Sequence, residues 1–318
     1  MPSISIAFAT ALSEKLEQKR PLLRSARTAR VHKIVQLNPF PETLDLKRYR
    51  EPISSYNPEG DYGPAILLSA LANRIPSVTP FFEDSGNSLT NVWNSLLHAA
   101  MPQSKEDSYT QRVLTQAREN FTLSKKSGRA GFPDDWYLVE TDPYNWYDLL
   151  SDKANLIHLD IDLQKNDREE NGSMEFLTIN GVQSLTWNIL GNDGKWKPVP
   201  VQPGTEIQKI QMDVLLVNFT RKWMNYDVFS TQWKINGLKK GFYSSGELTE
   251  NEGIFPLVVE SMLVATHTIV DGIIDKKDQM VLAQSPSVSL GGFVLNDAPR
   301  AHIAGYISRL IPVAPALE

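Results

Sequence analysis

The sequence contains no cysteine among its 318 residues. Composition therefore excludes disulfide bonds, thiolate zinc sites, iron–sulfur clusters and a cysteine nucleophile. Nucleotide-binding motifs are also lacking, because neither G-x-x-x-x-G-K-[ST] nor G-x-G-x-x-G occurs. Ser244 and Ser245 precede a glycine but do not form the G-x-S-x-G nucleophile elbow of serine hydrolases. We therefore expect no cofactor.

The sequence also lacks the features of an exported or membrane-spanning chain. No basic residue precedes the first apolar residues, and Glu14 and Glu17 follow them closely, which is unlike a secretory signal. The longest apolar run, Phe255–Val270, is interrupted by Glu260 and His267 and is shorter than the roughly 20 residues that a spanning helix needs. We predict no transmembrane segment and, by default, a cytoplasmic location.

Charge is distributed unevenly along the chain. The net charge is −5, but residues 1–50 contain ten Lys and Arg and four Asp and Glu, a balance of +6 that leaves −11 for the remaining 268 residues. A hydrophobic fraction of 41% and a charged fraction of 22% are typical of a soluble globular protein. An acidic bulk disfavours nucleic acid as a partner.

The N-terminal segment combines an apolar stripe with a basic one. Apolar residues recur every four positions from Ile4 to Leu16, which predicts an amphipathic helix over Ser3–Lys19. Beyond Pro21, three arginines recur every third residue: Arg24, Arg27 and Arg30. We expect the helix to pack on the protein's own domain. The arginines could dock on an acidic surface of a second copy or another protein, or contact a membrane surface.

The apolar period is close to four up to about residue 126 and two after it. Helices are predicted from Pro64 through "AILLSALANRI", over Ser88–Ala100 and over Asp107–Ser124, and the proline-rich stretch Asn38–Pro64 is predicted to be an irregular connector. Strands are predicted at Trp136–Thr141, Leu156–Leu163, Met174–Ile179, Val182–Leu190, Ile207–Phe219, Phe255–Val270, Met280–Gln284 and Ala301–Ile311.

Two tight turns organise the first of these strands. Asn180–Gly181 has the composition of a two-residue hairpin turn, and "GNDG" at Gly191–Gly194 follows the next run, so an antiparallel meander is predicted between Asp160 and Trp196. The predicted fold is α+β, with a mainly helical portion (1–130) packed on an antiparallel, β-sandwich-like portion (131–318). The two portions could form one continuous domain.

The segment "LIHLDIDL" (Leu156–Leu163) is the first candidate site. Strict alternation places His158, Asp160 and Asp162 on one face of a strand. One imidazole and two carboxylates could bind a transition metal or act in acid–base catalysis. The same pattern is typical of the solvated face of an antiparallel strand or of a face paired with neighbouring ions, and we favour the solvated face.

A second group of carboxylates lies in "ETDPYNWYDLL", where Glu140, Asp142 and Asp148 surround aromatic residues. Paired carboxylates in an aromatic cleft are typical of glycoside hydrolysis. An Asp-Pro turn followed by a short capped helix needs the same residue types without any catalysis. We favour this structural interpretation.

Six of the seven tryptophans occur after residue 130, and Trp196, Trp223 and Trp233 are candidates for binding. Exposed rings beside amides and carboxylates could stack on a sugar. Large aromatic residues are also the usual core residues of a sheet, and we favour that interpretation.

We favour a non-enzymatic binding or assembly protein that associates with itself or with another protein, with the basic segment as a docking arm. The alternative is a metal- or carboxylate-dependent hydrolase that acts on a carbohydrate-like substrate. It would use His158, Asp160 and Asp162, or the group around Glu140. A weaker alternative is a membrane-acting, toxin-like protein.

Overall fold

The computed structural model describes residues 4–19, 32–125, 136–164, 176–177, 179, 186–285, 287–295 and 300–316. In these residues helix accounts for 29% and strand for 37%, with most helices before the strand-rich portion, which confirms the α+β class. The helices are α1 (Ile4–Lys19), α2 (Tyr62–Ala72), α3 (Leu89–Ala99), α4 (Ser108–Ser124), α5 (Trp146–Leu149) and α6 (Lys276–Gln284).

The strands follow in chain order. They are β1 (Lys33–Thr43), β2 (Arg74–Pro76), β3 (Asp84–Ser88), β4 (Met101–Pro102), β5 (Glu140–Asp142), β6 (Ile157–Asp162), β7 (Phe176–Leu177), β8 (Thr186–Leu190), β9 (Trp196–Pro200), β10 (Glu206–Thr220), β11 (Trp233–Lys234), β12 (Leu257–Ile273), β13 (Val288–Leu290), β14 (Phe293–Leu295) and β15 (His302–Leu310). Short 3-10 helices cover Leu46–Tyr49, Lys153–Asn155 and Tyr226–Ser230.

Eleven of these strands form one sheet in the order β7-β1-β15-β12-β14-β13-β8-β9, and β10 pairs with β12 on one side and with β5 and β6 on the other. The pairings are antiparallel except for β1 with β7 and β12 with β14. The long central strands β10, β12 and β15 coincide with the three longest predicted strands. Their apolar residues extend over both faces, as expected for strands that are covered on both sides.

The two faces of the sheet contribute to different hydrophobic cores. Neighbours along one strand alternate between them, since Leu263 belongs to the core that includes α1, whereas Val264 belongs to the core that includes α2. Each core contains residues from before and after residue 130. In the first core, Phe8 and Leu12 of α1 are fully buried. The prediction that this helix packs on the protein's own domain is thus confirmed.

The prediction of an irregular connector over Asn38–Pro64 was wrong at its start. Residues 33–43 form β1, which pairs with β15 on one side and with β7 on the other. Pro39 and Pro41 argued against a strand because proline removes a ladder hydrogen bond. Both prolines lie where the register jumps between Leu37 and Glu42, so neither interrupts the paired part of β1.

Two other predictions of secondary structure were wrong. Met280–Gln284 belongs to helix α6, whose first turn is capped by Asp275 accepting a hydrogen bond from the Lys277 amide. Among the described residues, the first strands of the predicted meander do not pair with each other, because β6 pairs with β10 and β7 pairs with β1, which are distant in the sequence. The turn at Gly191–Gly194 does join β8 to β9, as predicted, and Asn180–Gly181 lies outside the described residues.

Within the described ranges, no helix is both long and apolar enough to cross a membrane.

Candidate functional site

The segment that carries His158, Asp160 and Asp162 is strand β6, as predicted, and its partner β10 brings further polar residues beside it. The alternation of β6 buries Ile157, Leu159 and Ile161 against α1 and leaves the other side chains outward. We call the resulting surface the charged face. It consists of His158, Asp160 and Asp162 of β6, Lys209, Gln211 and Asp213 of β10, and His267 and Asp271 of β12.

Asp213 is the most buried member of the charged face and joins two histidines. It is 8% exposed, and its Oδ1 lies 2.9 Å from Nδ1 of His158. Its Oδ2 lies 3.5 Å from Nδ1 of His267, an ion-pair distance without a hydrogen bond of normal geometry. A carboxylate bound at Nδ1 fixes the orientation of an imidazole. The three side chains therefore form a row across β6, β10 and β12.

A bulge in β12 brings His267 to this position. Gln211 pairs with Ile269 and Asp213 with Thr266, so β12 has one more residue than β10 over this interval. His267 has a φ of 53°, in the left-handed region that side chains with a Cβ seldom adopt. Such backbone strain persists where surrounding contacts hold the residue, and here the contact is with Asp213.

Asp160 and Lys209 form a further ion pair on the charged face. Asp160 Oδ2 lies 2.9 Å from Nζ of Lys209, and the hydrogen bond from Lys209 holds the pKa of Asp160 below its ordinary value. The same bond raises the pKa of Lys209, with smaller contributions from Asp271 and Asp162. Asp162 accepts a hydrogen bond from the Gln164 amide at 2.9 Å. In the part of the chain that the structure describes, no three His, Asp or Glu side chains meet the spacing of a metal site.

The backbone of β6 has one paired and one unpaired edge. The Leu163 amide donates to the Gln208 carbonyl at 2.8 Å, which fixes the phase of the antiparallel ladder with β10. Ile157, Leu159 and Ile161 therefore bond to β10, while His158, Asp160 and Asp162 direct their N–H and C=O groups away from it. Among the described strands, none pairs with this outer edge. We call it the β6 edge.

The second group of predicted carboxylates is divided among separate partners. Glu140 is 8% exposed, accepts a hydrogen bond from the Ser55 amide at 2.8 Å and lies 3.0 Å from Nζ of Lys222. Asp142 is exposed on β5, and Asp148 lies 3.7 Å from Arg50 in an exposed ion pair. The interactions of Glu140 and Asp148 therefore hold separate local segments in place.

The three tryptophans differ in exposure. Trp223 and Trp233 are each 2% exposed, and their Nε1 groups donate to the carbonyls of Leu138 and Val228. Both rings are therefore core residues, the interpretation favoured from the sequence. Trp196 is half-buried at the start of β9 and is the most exposed of the three.

The basic arm cannot be added to this surface, because Arg24, Arg27 and Arg30 lie outside the described residues. Its proposed docking role stays a prediction. Lys209, Asp213 and His267 were not among the residues predicted for this site. The alternation of Lys209, Gln211 and Asp213 along β10 was the available signal, but which strand lies beside β6 is not readable from either segment alone.

One prediction concerns the centre of the charged face. Asp213→Ala should lower the free energy of unfolding by about 1–3 kcal/mol, because it removes the 2.9 Å bond to Nδ1 of His158 and the ion-pair contact with His267. Urea denaturation measures the change. Asp271→Ala, on the same face but exposed, is the matched control and should change stability by no more than about 0.5 kcal/mol. Equal effects of the two substitutions would contradict the central role of Asp213.

Comparison with protein-family models, with curated proteins and with solved structures finds no match to this chain.

Proposed function

We propose that the protein is a non-enzymatic assembly protein that associates with a second copy of itself through the β6 edge. The observation that carries the proposal is the row of backbone groups that His158, Asp160 and Asp162 direct away from β10. An unpaired strand edge is a template for another strand. Antiparallel pairing of two β6 edges would join two sheets around a twofold axis, the commonest symmetry of protein dimers.

The side chains of β6 favour one register of this pairing. When Leu159 faces Leu159 of the second copy, His158 stands opposite Asp160 of that copy, and the reverse. Opposite-charge or hydrogen-bonding pairs at such positions stabilise a sheet by about 0.2–1 kcal/mol each. Shifting the register by two residues, so that Asp160 faces Asp160, juxtaposes like charges. The alternating charges thus oppose unspecific edge pairing and support one self-complementary arrangement.

The positions of the candidate carboxylates also support binding rather than hydrolysis. Asp160 is engaged by Lys209, Glu140 by Lys222 and Ser55, and Asp148 by Arg50. A general acid and base must lie within reach of a bound substrate, with protonation states suited to the reaction. Carboxylates in separate ion pairs do not form such a couple.

One observation favours the hydrolase as a second candidate. Asp213 holds Nδ1 of His158 at 2.9 Å, the relation by which a carboxylate orients a general-base histidine. His158→Gln should abolish any hydrolysis of aryl glycosides that the protein performs. If the protein hydrolyses none of them, or if His158→Gln does not change the rate, this candidate is rejected.

The test of self-association compares two substitutions at one position. Asp160→Pro removes an outward N–H without removing a bond to β10, so two intermolecular hydrogen bonds are lost by symmetry. We expect the dimer dissociation constant to rise about 5- to 150-fold. Asp160→Asn keeps the N–H and the shape of the side chain, and should change the constant much less. Light scattering coupled to size-exclusion chromatography over a range of concentrations measures both.

A separate variant tests the basic arm. Deleting residues 1–35 would also remove α1 and the first residues of β1, so the change of choice is Arg24→Glu with Arg27→Glu and Arg30→Glu. If this variant loses association while Asp160→Pro keeps it, the arm carries assembly and the β6 edge does not. If the parent is a monomer at every concentration, the proposal of self-association is rejected.

A further inference from the structure

A cavity of about 250 Å³ lies beside the segment of β1 where the register with β15 jumps between Leu37 and Glu42, which we call the bulge of β1. Its wall includes Leu37, Asn38 and Phe40 of β1, Phe81 from the loop that follows β2, and Phe293 at the start of β14. Most of this lining is apolar and three of its side chains are aromatic. An apolar cavity of about 150 Å³ is already large enough to bind benzene.

Buried amide side chains hold the walls of this cavity in place. Gln36 is fully buried, and its Nε2 donates to the carbonyls of Ser77 and Thr79 at 2.9 and 2.8 Å, which positions the loop that carries Phe81. Asn188 is also fully buried, and its Nδ2 donates to the Gly291 carbonyl at 2.9 Å. The cavity is therefore bounded by fixed loops.

These amides are not fully satisfied. Oε1 of Gln36 and Oδ1 of Asn188 are buried and have no hydrogen-bond partner among the described residues. A buried acceptor without a partner lowers the stability of the folded chain. Buried polar atoms without partners are rare in folded proteins and are expected mainly at functional sites. There they are tolerated because the site must keep a particular shape.

The turn between β13 and β14 closes one side of the cavity at very short range. A Cβ at Gly292 would lie 2.5 Å from the carbonyl oxygen of Asn38. Only glycine allows this approach, which sets the turn directly against the bulge of β1. The bulge and the turn together place Asn38 at the wall.

Asn38 and Thr186 supply the polar side chains of a wall that is otherwise apolar, and the amide of Asn38 is the one held in a fixed orientation. Its Nδ2 donates to the carbonyl of Ile303 at 2.9 Å, which fixes the orientation of the amide. In the described part of the chain, its Oδ1 accepts no hydrogen bond. A mostly apolar cavity with an oriented acceptor in its wall favours an apolar molecule that carries a donor.

We infer that this cavity binds a small neutral aromatic molecule of one or two rings that carries a single N–H or O–H donor. The donor bonds to Oδ1 of Asn38, and the ring packs against Phe40, Phe81 and Phe293, where edge-to-face contacts between aromatic rings are favourable. This inference is independent of self-association, because no residue of the cavity wall belongs to the charged face or the β6 edge.

The test uses two probes that differ only at the ring nitrogen, which carries a donor hydrogen in one and a methyl group in the other. Indole and 1-methylindole are titrated into the full chain and followed by calorimetry and by the side-chain amide signal of Asn38 in a ¹⁵N-correlated NMR spectrum. We expect indole to bind about 2- to 12-fold more tightly than 1-methylindole, the value of one hydrogen bond, and to shift the Asn38 signal. Equal affinities or an unchanged Asn38 signal would overturn the assignment of the acceptor.

A variant with a larger side chain in the cavity tests whether indole binds there. Thr186 is half-buried and lines the cavity, so Thr186→Phe should abolish indole binding. Thr220→Phe makes the same substitution at the exposed end of β10 and should leave binding unchanged. Indole binding retained in Thr186→Phe, or no indole binding by the parent up to its solubility, overturns the inference. The comparison of the two probes on the parent chain stands even if Thr186→Phe does not fold.

Discussion

Replacing Phe8 by alanine is expected to lower the free energy of unfolding by about 3–5 kcal/mol. Phe8 is fully buried and stacks on Phe293, with ring centroids 5.9 Å apart. It joins α1 to the same core as β6, β10 and β13. Truncation would leave a cavity on one face of the sheet, and a typical domain has only about 5–15 kcal/mol of stability in total. Urea denaturation at neutral pH measures the loss.

Leu123→Ala is the control for this substitution. Leu123 lies on α4 with 80% of its surface exposed, and its truncation should change stability by no more than about 0.5 kcal/mol. A loss below about 1 kcal/mol for Phe8→Ala would mean that α1 is not part of the core, and that the N-terminal segment could be removed without unfolding the sheet.

Acid is expected to destabilise the protein by about 3 kcal/mol through His302 alone. This residue is fully buried, and burial lowers its pKa from the ordinary 6.5 to about 4. Its Nδ1 lies 3.1 Å from the Arg300 carbonyl and its Nε2 accepts the Val294 amide at 3.2 Å, so the neutral ring satisfies both nitrogens. If Nε2 were protonated, its N–H would point at the N–H of Val294, and the hydrogen bond between them could not form.

The direction of the pH effect follows from the two pKa values. Above pH 6.5 the histidine is neutral in the folded and the unfolded chain, and its contribution to stability is fully present. As the pH falls from 6.5 towards 4, only the unfolded chain binds the proton, so stability decreases. Below about 4 the folded state also takes up the proton and the loss levels off.

Substitution by glutamine isolates this contribution from other titrating groups. His302→Gln retains a donor and an acceptor but has no proton to gain, so its stability should fall less steeply than that of the parent between pH 6.5 and 4. Free energies of unfolding at several pH values in this range give the difference. Parallel curves for the two proteins would show that His302 is not the buried neutral group described above.

Much of the fold was predictable because its periodicities are strong. Alternation identified β6, and long apolar runs identified β10, β12 and β15, since a strand covered on both faces needs apolar residues at successive positions. The four-residue spacing of α1 was equally clear. The apolar periodicity of each of these elements matches the structure that it adopts in the fold.

The errors arose where tertiary contacts, or a local cap that was overlooked, opposed the apparent periodicity. Two prolines argued against β1, but the bulge removes them from the ladder with β15. The run Met280–Gln284 looks like a strand in isolation, and the cap at Asp275 makes it the end of a helix. Pairing of β6 with β10 rather than with the next strand depends on contacts across about 50 residues, which a local pattern does not contain.

The candidate site was half predictable for the same reason. The outward alternation of His158, Asp160 and Asp162 follows from the period of a strand. Their partners, Lys209 and Asp213, follow only from the register between β6 and β10, and His267 only from a bulge in β12. The charged residues of β6 were thus predictable from the sequence, whereas their partners on β10 and β12 depend on how the strands are arranged in the sheet.

Hydrogen exchange at single amides of β6 tests the central claim most directly. In the monomer, the outward amides of His158 and Asp160 should exchange rapidly, while those of Leu159 and Ile161 are protected by β10. If two β6 edges pair, raising the protein concentration protects His158 and Asp160 and leaves Leu159 and Ile161 unchanged. Rapid exchange of His158 and Asp160 at every concentration would contradict assembly through this edge.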